Sequence, residues 1–415
     1  MFKNFNKLEK SWIYYDIGNS AFTMMVSTII PIWFNTLAAN AGMSNSEYLA
    51  YWSYATSIAT ILVAIVGPIF GSIADNKDFK KPMFMFVLFV GVIGCALLGA
   101  VPNWILYLIT YVIAKVCYQT SLVFYDSMLT DVTTPERMDL VSSQGYAWGY
   151  IGSCIPFVIA LGLYAAGNPD FLGIMNEKLS IFLAFIVIAV WWFCVTIPLL
   201  KNYTQKYYVE TTSNKVKESI SRLGKTLVTM YRDEKKVFFF LLAFFFYIDG
   251  VYTIIDMATA YGTSLGLNTT GLLLALLLTQ IVAFPASLTF AVLSKTKNTA
   301  SLIKVAIIAY FLIALFAVQL DKQWEFWVLA VAVGCFQGGI QALSRSYFAK
   351  IIPENASGEY FGLFDICGKG ASFLGTMLIG VVTQITGKQN LGVAAISIMF
   401  VVGYLIFNKV SKIDD

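Results

Sequence analysis

Two aspartates, Asp249 and Asp256, interrupt an otherwise uncharged 25-residue run, VFFFLLAFFFYIDGVYTIIDMATAY (Val237–Tyr261). A helix crosses a bilayer core with about 20 apolar residues, so this run is long enough to span. Insertion scales disfavour a carboxylate there by roughly 2.5–3.5 kcal/mol. A spacing of seven is almost two helical turns, which puts both acids on nearly one face, about 10 Å apart along the axis. That face must look into a bundle interior or a wet cavity, where protons, ions and polar solutes are met. Asp249 lies ~18 Å into the span, near the midplane, and Gly250 beside it permits close approach of a neighbour. It is the first candidate for a protonatable coupling site, and Asp256, closer to the outer side, is the second. The alternative for each is a structural acid paired to an adjacent helix.

Other polar residues sit where apolar ones are expected. Asp16 opens a polar face with Asn19 on the first apolar run and reads as a third proton-coupling candidate, the counterpart of Asp249. Hydropathy places it shallower than Asp249, within reach of the interface. Lys115, with Gln119 one turn on, is too deep to snorkel easily and needs an acid or an anionic group, Asp16 being the nearest by role. Gln337 and Gln341 make neutral polar spots beside Gly338 and Gly339. Tyr15, Tyr247 and Tyr252 would make a tyrosine-rich wall, and with Asn19, Lys115, Gln119, Gln337 and Gln341 they are the candidate solute contacts. Asp365 and Lys369 stand four apart, an intrahelical ion-pair spacing that could also exchange partners with Asp75 or Arg345. Arg345 and Asp126 occupy matching span ends. These five are the candidate gating charges.

The elements that must hold these residues follow from composition. Of 415 residues, 58% are hydrophobic and 13% charged, against about 25% charged in soluble domains. The chain reads as a polytopic membrane protein. No histidine is present, which excludes Ser-His-Asp and Cys-His chemistry and leaves proton handling to carboxylates. Six scattered cysteines without a CxxC pair give no metal or disulfide framework, and no phosphate-cradling loop or nucleic-acid module is found. No cofactor and no metal are expected. The polar, basic start (Met1–Lys10) and the length of the first apolar run do not fit a cleaved signal peptide.

Hydropathy predicts twelve spans, at about 11–39, 49–74, 82–101, 103–127, 141–166, 179–200, 237–261, 270–293, 300–320, 325–349, 360–385 and 391–408. Of the 28 Lys and Arg, 23 then fall on the side of both termini, Lys178, Lys322 and Lys388 fall on the other, and Lys115 and Lys369 lie inside spans. That asymmetry predicts both termini cytoplasmic, in a multi-pass protein of the cell membrane. The long loop 201–236 carries nine Lys/Arg against four Asp/Glu. Within it, Val216, Ile220, Leu223, Leu227 and Met230 space as an amphipathic helix lying on the cytoplasmic face. The expected division is a six-helix bundle over 1–200, a linker over 201–236 and a second six-helix bundle over 237–415.

The two halves echo each other. Tyr15-Asp16 matches Tyr247-Ile248-Asp249-Gly250. FYDSMLTDVTTPE (Phe124–Glu136) and SRSYFAKIIPE (Ser344–Glu354) both close on Pro-Glu before a glycine-bearing span. Two parallel six-span repeats around a midplane site are the plan of an all-α major facilitator fold. GSIADNKDFKK (Gly71–Lys81) resembles the facilitator loop motif, one residue longer and without its second glycine. SWIYYDIGNSAF (Ser11–Phe22), FYDSMLTDVTTPE with SSQGYAWGYIG (Ser142–Gly152), FYIDGVYTI (Phe246–Ile254), and FQGGIQALSRSYFAKIIP (Phe336–Pro353) with YFGLFD (Tyr360–Asp365) together resemble the vacuole-effluxer family. That family includes the autophagy-related amino-acid exporter of fungal vacuoles. The resemblance implies secondary active export of a small organic solute such as an amino acid. Its partners would be that solute, a proton or in its place sodium, and the bilayer, with the chain working as a monomer and no nucleic acid involved. Polyspecific drug export and a non-transporting receptor on the same fold are the competing readings.

Overall fold

The computed structural model describes residues 4–169, 172–210, 215–369, 372–410 and 412–413. It is nearly all helical. The spans are α1 (Lys7–Ser27) with α2 (Ile29–Asn40), α3 (Asn45–Ala74), α4 (Lys80–Leu98), α5 (Trp104–Ser127) with the short α6 (Leu129–Val132), α7 (Met138–Gly167) and α8 (Glu177–Asn202). After the linker helix α9 (Lys215–Arg232) come α10 (Lys235–Ser264), α11 (Thr269–Leu293), α12 (Thr299–Ala317), α13 (Gln323–Ile351), α14 (Ser357–Lys369) with α15 (Ser372–Thr386), and α16 (Gln389–Val410). Among the described residues, eleven helical segments are long and apolar enough to cross a membrane, and Leu374–Thr386 is a shorter apolar helix.

Local chemistry sets the ends. Asn6 caps α1 reciprocally with Glu9, and Ser44 caps α3 with Glu47, each satisfying orphan N–H groups. Asparagine side chains at 103, 176, 268 and 298 cap α5, α8, α11 and α12. The first span is broken at Thr28 (φ −135°, ψ −89°), because Pro31 cannot supply an N–H and its ring excludes the preceding turn.

The two six-helix bundles repeat one packing scheme. In the first, α1 packs on α7 and α8, α4 on α5 and α8, α3 on α5, and α7 on α8. In the second, α10 packs on α15 and α16, α12 on α13 and α16, α11 on α13, and α15 on α16. Each second-bundle pair is a first-bundle pair six spans later. The bundles meet along two seams, α3 with α14 and α7 with α11 and α13. Asparagine 76 and Val209 form an isolated bridge that ties the 75–79 loop to the linker. The end of the molecule bearing the linker and both termini carries most of the basic residues and is called the basic end below.

Candidate functional site

The seams are shut at the basic end by buried charge. Arg345 of α13 reaches into the first bundle. Its Nε donates to Ser142 Oγ (2.9 Å), Nη1 to Asp126 Oδ1 (3.0 Å), and Nη2 to Ser142 O (3.1 Å) and Asp16 Oδ2 (3.4 Å). Three rings of the first bundle, Trp12, Tyr125 and Tyr146, lie 4.6, 5.3 and 4.4 Å from its guanidinium carbon. Only an arginine offers a planar fork that can donate in several directions and stack on rings at once. Gly145 makes room, since a Cβ there would stand 2.6 Å from Asp16 Oδ2.

Two further clusters flank this one. Asp139 at the start of α7 receives Lys350 Nζ (2.6 Å), Ser346 Oγ (2.6 Å) and Thr299 Oγ1 (2.5 Å) from the second bundle. On the other seam, Asp75 at the end of α3 accepts the N–H groups of Gly358 and Glu359, each at 2.8 Å. Those N–H groups open α14, so the acid also meets the positive end of a helix dipole. Buried Lys80 stands 3.5 Å from Asp75 and 3.8 Å from Asp131, and its Nζ donates to Ser357 Oγ (2.9 Å). Burial pushes Asp75 up to about 6, against the opposing pull of Lys80, the two N–H donors and Arg222. Backbones also touch here: a Cβ on Gly358 would lie 2.5 Å from Gly71 O and 2.8 Å from Asp75 Oδ1, and Gly362 stands equally tight against Pro68.

Toward the opposite end the seam is looser. Asp256 is exposed, and Lys115, Gln119 and Tyr252 are half-buried. Lys115, on α5 of the first bundle, interacts electrostatically with Asp256 on α10 of the second and donates to Tyr111 (3.2 Å). Gln119 Oε1 has no hydrogen-bond partner. The Tyr150 hydroxyl stands against Gln337 at the seam, and Gln341 is half-buried on α13. These groups come from both bundles, Lys115, Gln119 and Tyr150 from the first and Tyr252, Asp256, Gln337 and Gln341 from the second.

The remaining sequence candidates fall elsewhere. Asp249 is fully buried inside the second bundle. Its Oδ1 accepts from Gly375 N (3.0 Å) and Thr253 Oγ1 (3.2 Å), and its Oδ2 has no partner. Tyr15 and Tyr247 are fully buried and share hydrogen bonds of 2.6 Å with Ser121 and Ser344 of their own bundles. They are packing residues here: Tyr15 is one residue from Asp16 and Tyr247 two from Asp249, which turns them about 100° and about 200° away from those acids. Their matching bonds also make Tyr15 and Tyr247 the repeat counterparts, which leaves Asp16 opposite Ile248 and not opposite Asp249. Asn19 spends its amide on Tyr15 O (2.9 Å). Asp16 takes Arg345 as its ion-pair partner and not Lys115. Asp365 is buried beside Gly67, while Asp75 and Arg345, its expected exchange partners, are engaged as described. The Lys369 side chain lies outside the described residues.

Lys80, Asp139, Lys350, Ser142, Ser72, Arg222 and Glu359 were not singled out from sequence. Ser72 and Lys80 lay inside Gly71–Lys81, Ser142 opened Ser142–Gly152 and Lys350 lay inside Phe336–Pro353, all stretches quoted for their resemblance, whereas Asp139 and Glu359 stood in none and Arg222 only in the linker 201–236.

Comparisons with known proteins agree with this architecture. The family model for Atg22-like vacuole effluxers matches residues 6–412. The MFS-type transporter YxiO of Bacillus subtilis (strain 168) is 40% identical over 409 residues, covering 98% of this chain and 95% of its own. Autophagy-related protein 22-1 of Aspergillus niger is 25% identical over 272 residues, 60% of this chain and 43% of that protein. Among solved structures, the FucP transporter in its outward conformation superimposes with a TM-score of 0.72 at 15% identity, covering 97% of each chain. A bacterial homologue of the iron transporter ferroportin in an outward-facing state gives 0.69 at 14% identity and 98% of each chain.

Proposed function

Because the chain belongs to the Atg22-like vacuole effluxer family of major facilitator transporters, we propose that it exports a small zwitterionic solute such as an amino acid, driven by protons. The observation that carries the reading is the Lys115–Asp256 pair. The two charges are of opposite sign and come one from each bundle, Asp256 exposed and Lys115 half-buried, while buried charge clusters hold the seam together at the basic end. A solute amine would meet Asp256 and its carboxylate Lys115, with Gln119, Gln337, Gln341 and Tyr252 supplying neutral polar contacts. Binding both ends at once draws the bundles together, which is the differential affinity that alternating access requires.

In this reading the basic end is cytoplasmic, the state is outward-facing, and residues 1–200 and 237–415 rock as two bodies joined by 201–236. Arg345, Asp126, Asp16 and Asp75 hold the cytoplasmic gate. Asp249 is the proton site: a carboxylate with one oxygen unsatisfied in an apolar interior is disfavoured when ionised, and a proton relieves it. Reconstituted protein supplied with amino acids under an imposed pH gradient tests this. Asp249→Asn should abolish gradient-driven flux while leaving solute exchange across equal pH intact. Gradient-driven flux at the wild-type rate in that variant would remove Asp249 from the coupling step.

A further inference from the structure

The linker helix does more than connect. Arg222 of α9 reaches across the α3–α14 seam: Nε donates to Glu359 Oε2 of the second bundle (2.8 Å), and Nη2 to Ser72 O of the first (2.6 Å). Ser72 Oγ in turn donates to Ser219 O of α9 (3.0 Å) and to Glu359 Oε2 (2.8 Å), and Asn76 Nδ2 donates to Ser219 Oγ (3.0 Å). Ser219 and Met230 are buried against the bundles. The neighbouring flank of the same helix is not: Ile220 is 49%, Leu227 51%, Val228 56% and Tyr231 67% exposed. On a helical wheel these residues and Val216 form one apolar strip beside the docked edge, with Lys217 standing within it between Tyr231 and Val228, and Lys225 and Arg232 border it on the far side. Only Asp233 and Glu234 separate α9 from the membrane span α10, so the strip lies at the level of the lipid interface. An apolar strip bordered by cations suits the headgroup layer of an anionic bilayer.

We propose that α9 is a lipid-reading latch, which docks its apolar strip and basic border on anionic headgroups and, through Arg222, holds the seam at the basic end closed. The latch rests on the alternating-access reading above. When α9 lies on an anionic surface, Arg222 is held in register with Glu359 and Ser72. When the surface is neutral, α9 loses its electrostatic hold and the bridge across the seam weakens.

The test uses full-length protein in nanodiscs of phosphatidylcholine, with or without phosphatidylglycerol, in a background freed of native cysteines. Spin labels at Lys77→Cys and Thr296→Cys, on loops of opposite bundles, read the opening of the seam. A label at Val228→Cys reads immersion of α9 by oxygen accessibility. Anionic lipid should immerse α9 and raise the closed-to-open ratio roughly fivefold, the low end of allosteric coupling. Lys225→Ala/Arg232→Ala, both fully on the surface, should lose both responses. Arg222→Ala, or Glu359→Gln should that variant fold poorly, should keep the immersion and lose the distance response. Soluble glycerophosphate added to neutral discs should do nothing; a full response to it would assign the site to free phosphate and overturn the proposal. Immersion without any change in distance in wild type overturns the latch alone. Labels that stay at one distance in every lipid and also in Arg345→Ala overturn the alternating-access reading, and the latch with it.

Discussion

Arg345→Ala isolates the contribution of the closed gate, because every acceptor of this side chain lies in the opposite bundle. The substitution removes four hydrogen bonds and three ring contacts. It leaves Asp16 and Asp126 facing an apolar hollow. Deleting one partner of a buried, hydrogen-bonded ion pair costs about 3–5 kcal/mol. The cost falls on the closed state alone, since parting bundles expose both acids to water. At about 1.4 kcal/mol per decade, the closed-to-open ratio should fall by roughly two to three and a half decades. The 77/296 spin-label pair reads that ratio in nanodiscs of fixed lipid composition. Arg345→Lys should fall between wild type and alanine, because one ammonium cannot reach Ser142, Asp126 and Asp16 while stacking on Trp12 and Tyr146. A double variant adds a second constraint. With the arginine gone, Asp126→Asn should relieve repulsion between Asp126 and Asp16 and partly restore closure, so the two changes must be non-additive. A folded Arg345→Ala protein with the wild-type distance distribution, and strict additivity with Asp126→Asn, would refute the assignment of the gate to this cluster.

Three other outcomes follow from the same geometry. Gly358→Ala places a methyl 2.5 Å from Gly71 O; overpacking of this kind costs about 1–3 kcal/mol, and the label distance should lengthen while each bundle's own thermal unfolding is little changed. Lys115→Met or Asp256→Asn should weaken solute binding by roughly ten- to a hundredfold, as expected for losing a charged hydrogen bond, read as loss of the ligand-induced rise in Tm; a solute that still shifts Tm fully in both variants binds elsewhere. Asp75 is held near 6 in the closed seam by burial, and in an opened, hydrated seam it should return toward about 3.9. The closed state therefore binds the proton more tightly, so closure is favoured by acid and the preference fades as pH rises through 6. Between pH 7 and 5 the closed-to-open ratio should rise about tenfold, and Asp75→Asn should flatten that profile with its charged neighbours Lys80, Asp131, Arg222 and Glu359 left in place.

Much of the fold was legible because a bilayer admits few solutions: spans must be long and apolar. The matching Pro-Glu closures and Tyr15/Tyr247 pointed to two repeats, and the packing scheme repeats accordingly. The chemistry was less legible because it depends on what lies across a seam. Asp249 and Asp256 do share one face of α10, as a spacing of seven requires. What separates them is the neighbour: α15 brings Gly375 and Thr253 sits beside it to bury the first, while the second lies past that contact and meets the field of Lys115. Asp16 and Arg345 are 329 residues apart, with no local pattern to join them. Arg222 and Glu359 were passed over for the same reason. The break at Thr28 was missed as well: the first span read as one run over 11–39, although Pro31 lies within it.

The polarity of the contacts between the bundles explains how two related halves can close on each other. Identical repeats facing across a pseudo-two-fold axis would set like charge against like. Here the first bundle offers acids at the basic end, namely Asp16, Asp75, Asp126 and Asp139, and the second offers Arg345, Lys350 and the N–H groups of α14. One second-bundle acid at that seam, Glu359, is met by Arg222 of the linker, which belongs to neither repeat. Toward the opposite end the sense reverses, with the cation Lys115 on the first bundle and the anion Asp256 on the second. Rocking would part the first set of charges as it drew the second together. A carrier whose second set could close directly would lose its gradient through empty cycling; one whose gap is bridged only by a solute bearing both charges would not. Under the proposed function, the reversed polarity along the seam makes the demand for a zwitterion and the demand for tight coupling one requirement, and the residue pair 115/256, exchanged as Lys115→Asp/Asp256→Lys, should retain more transport than either single change.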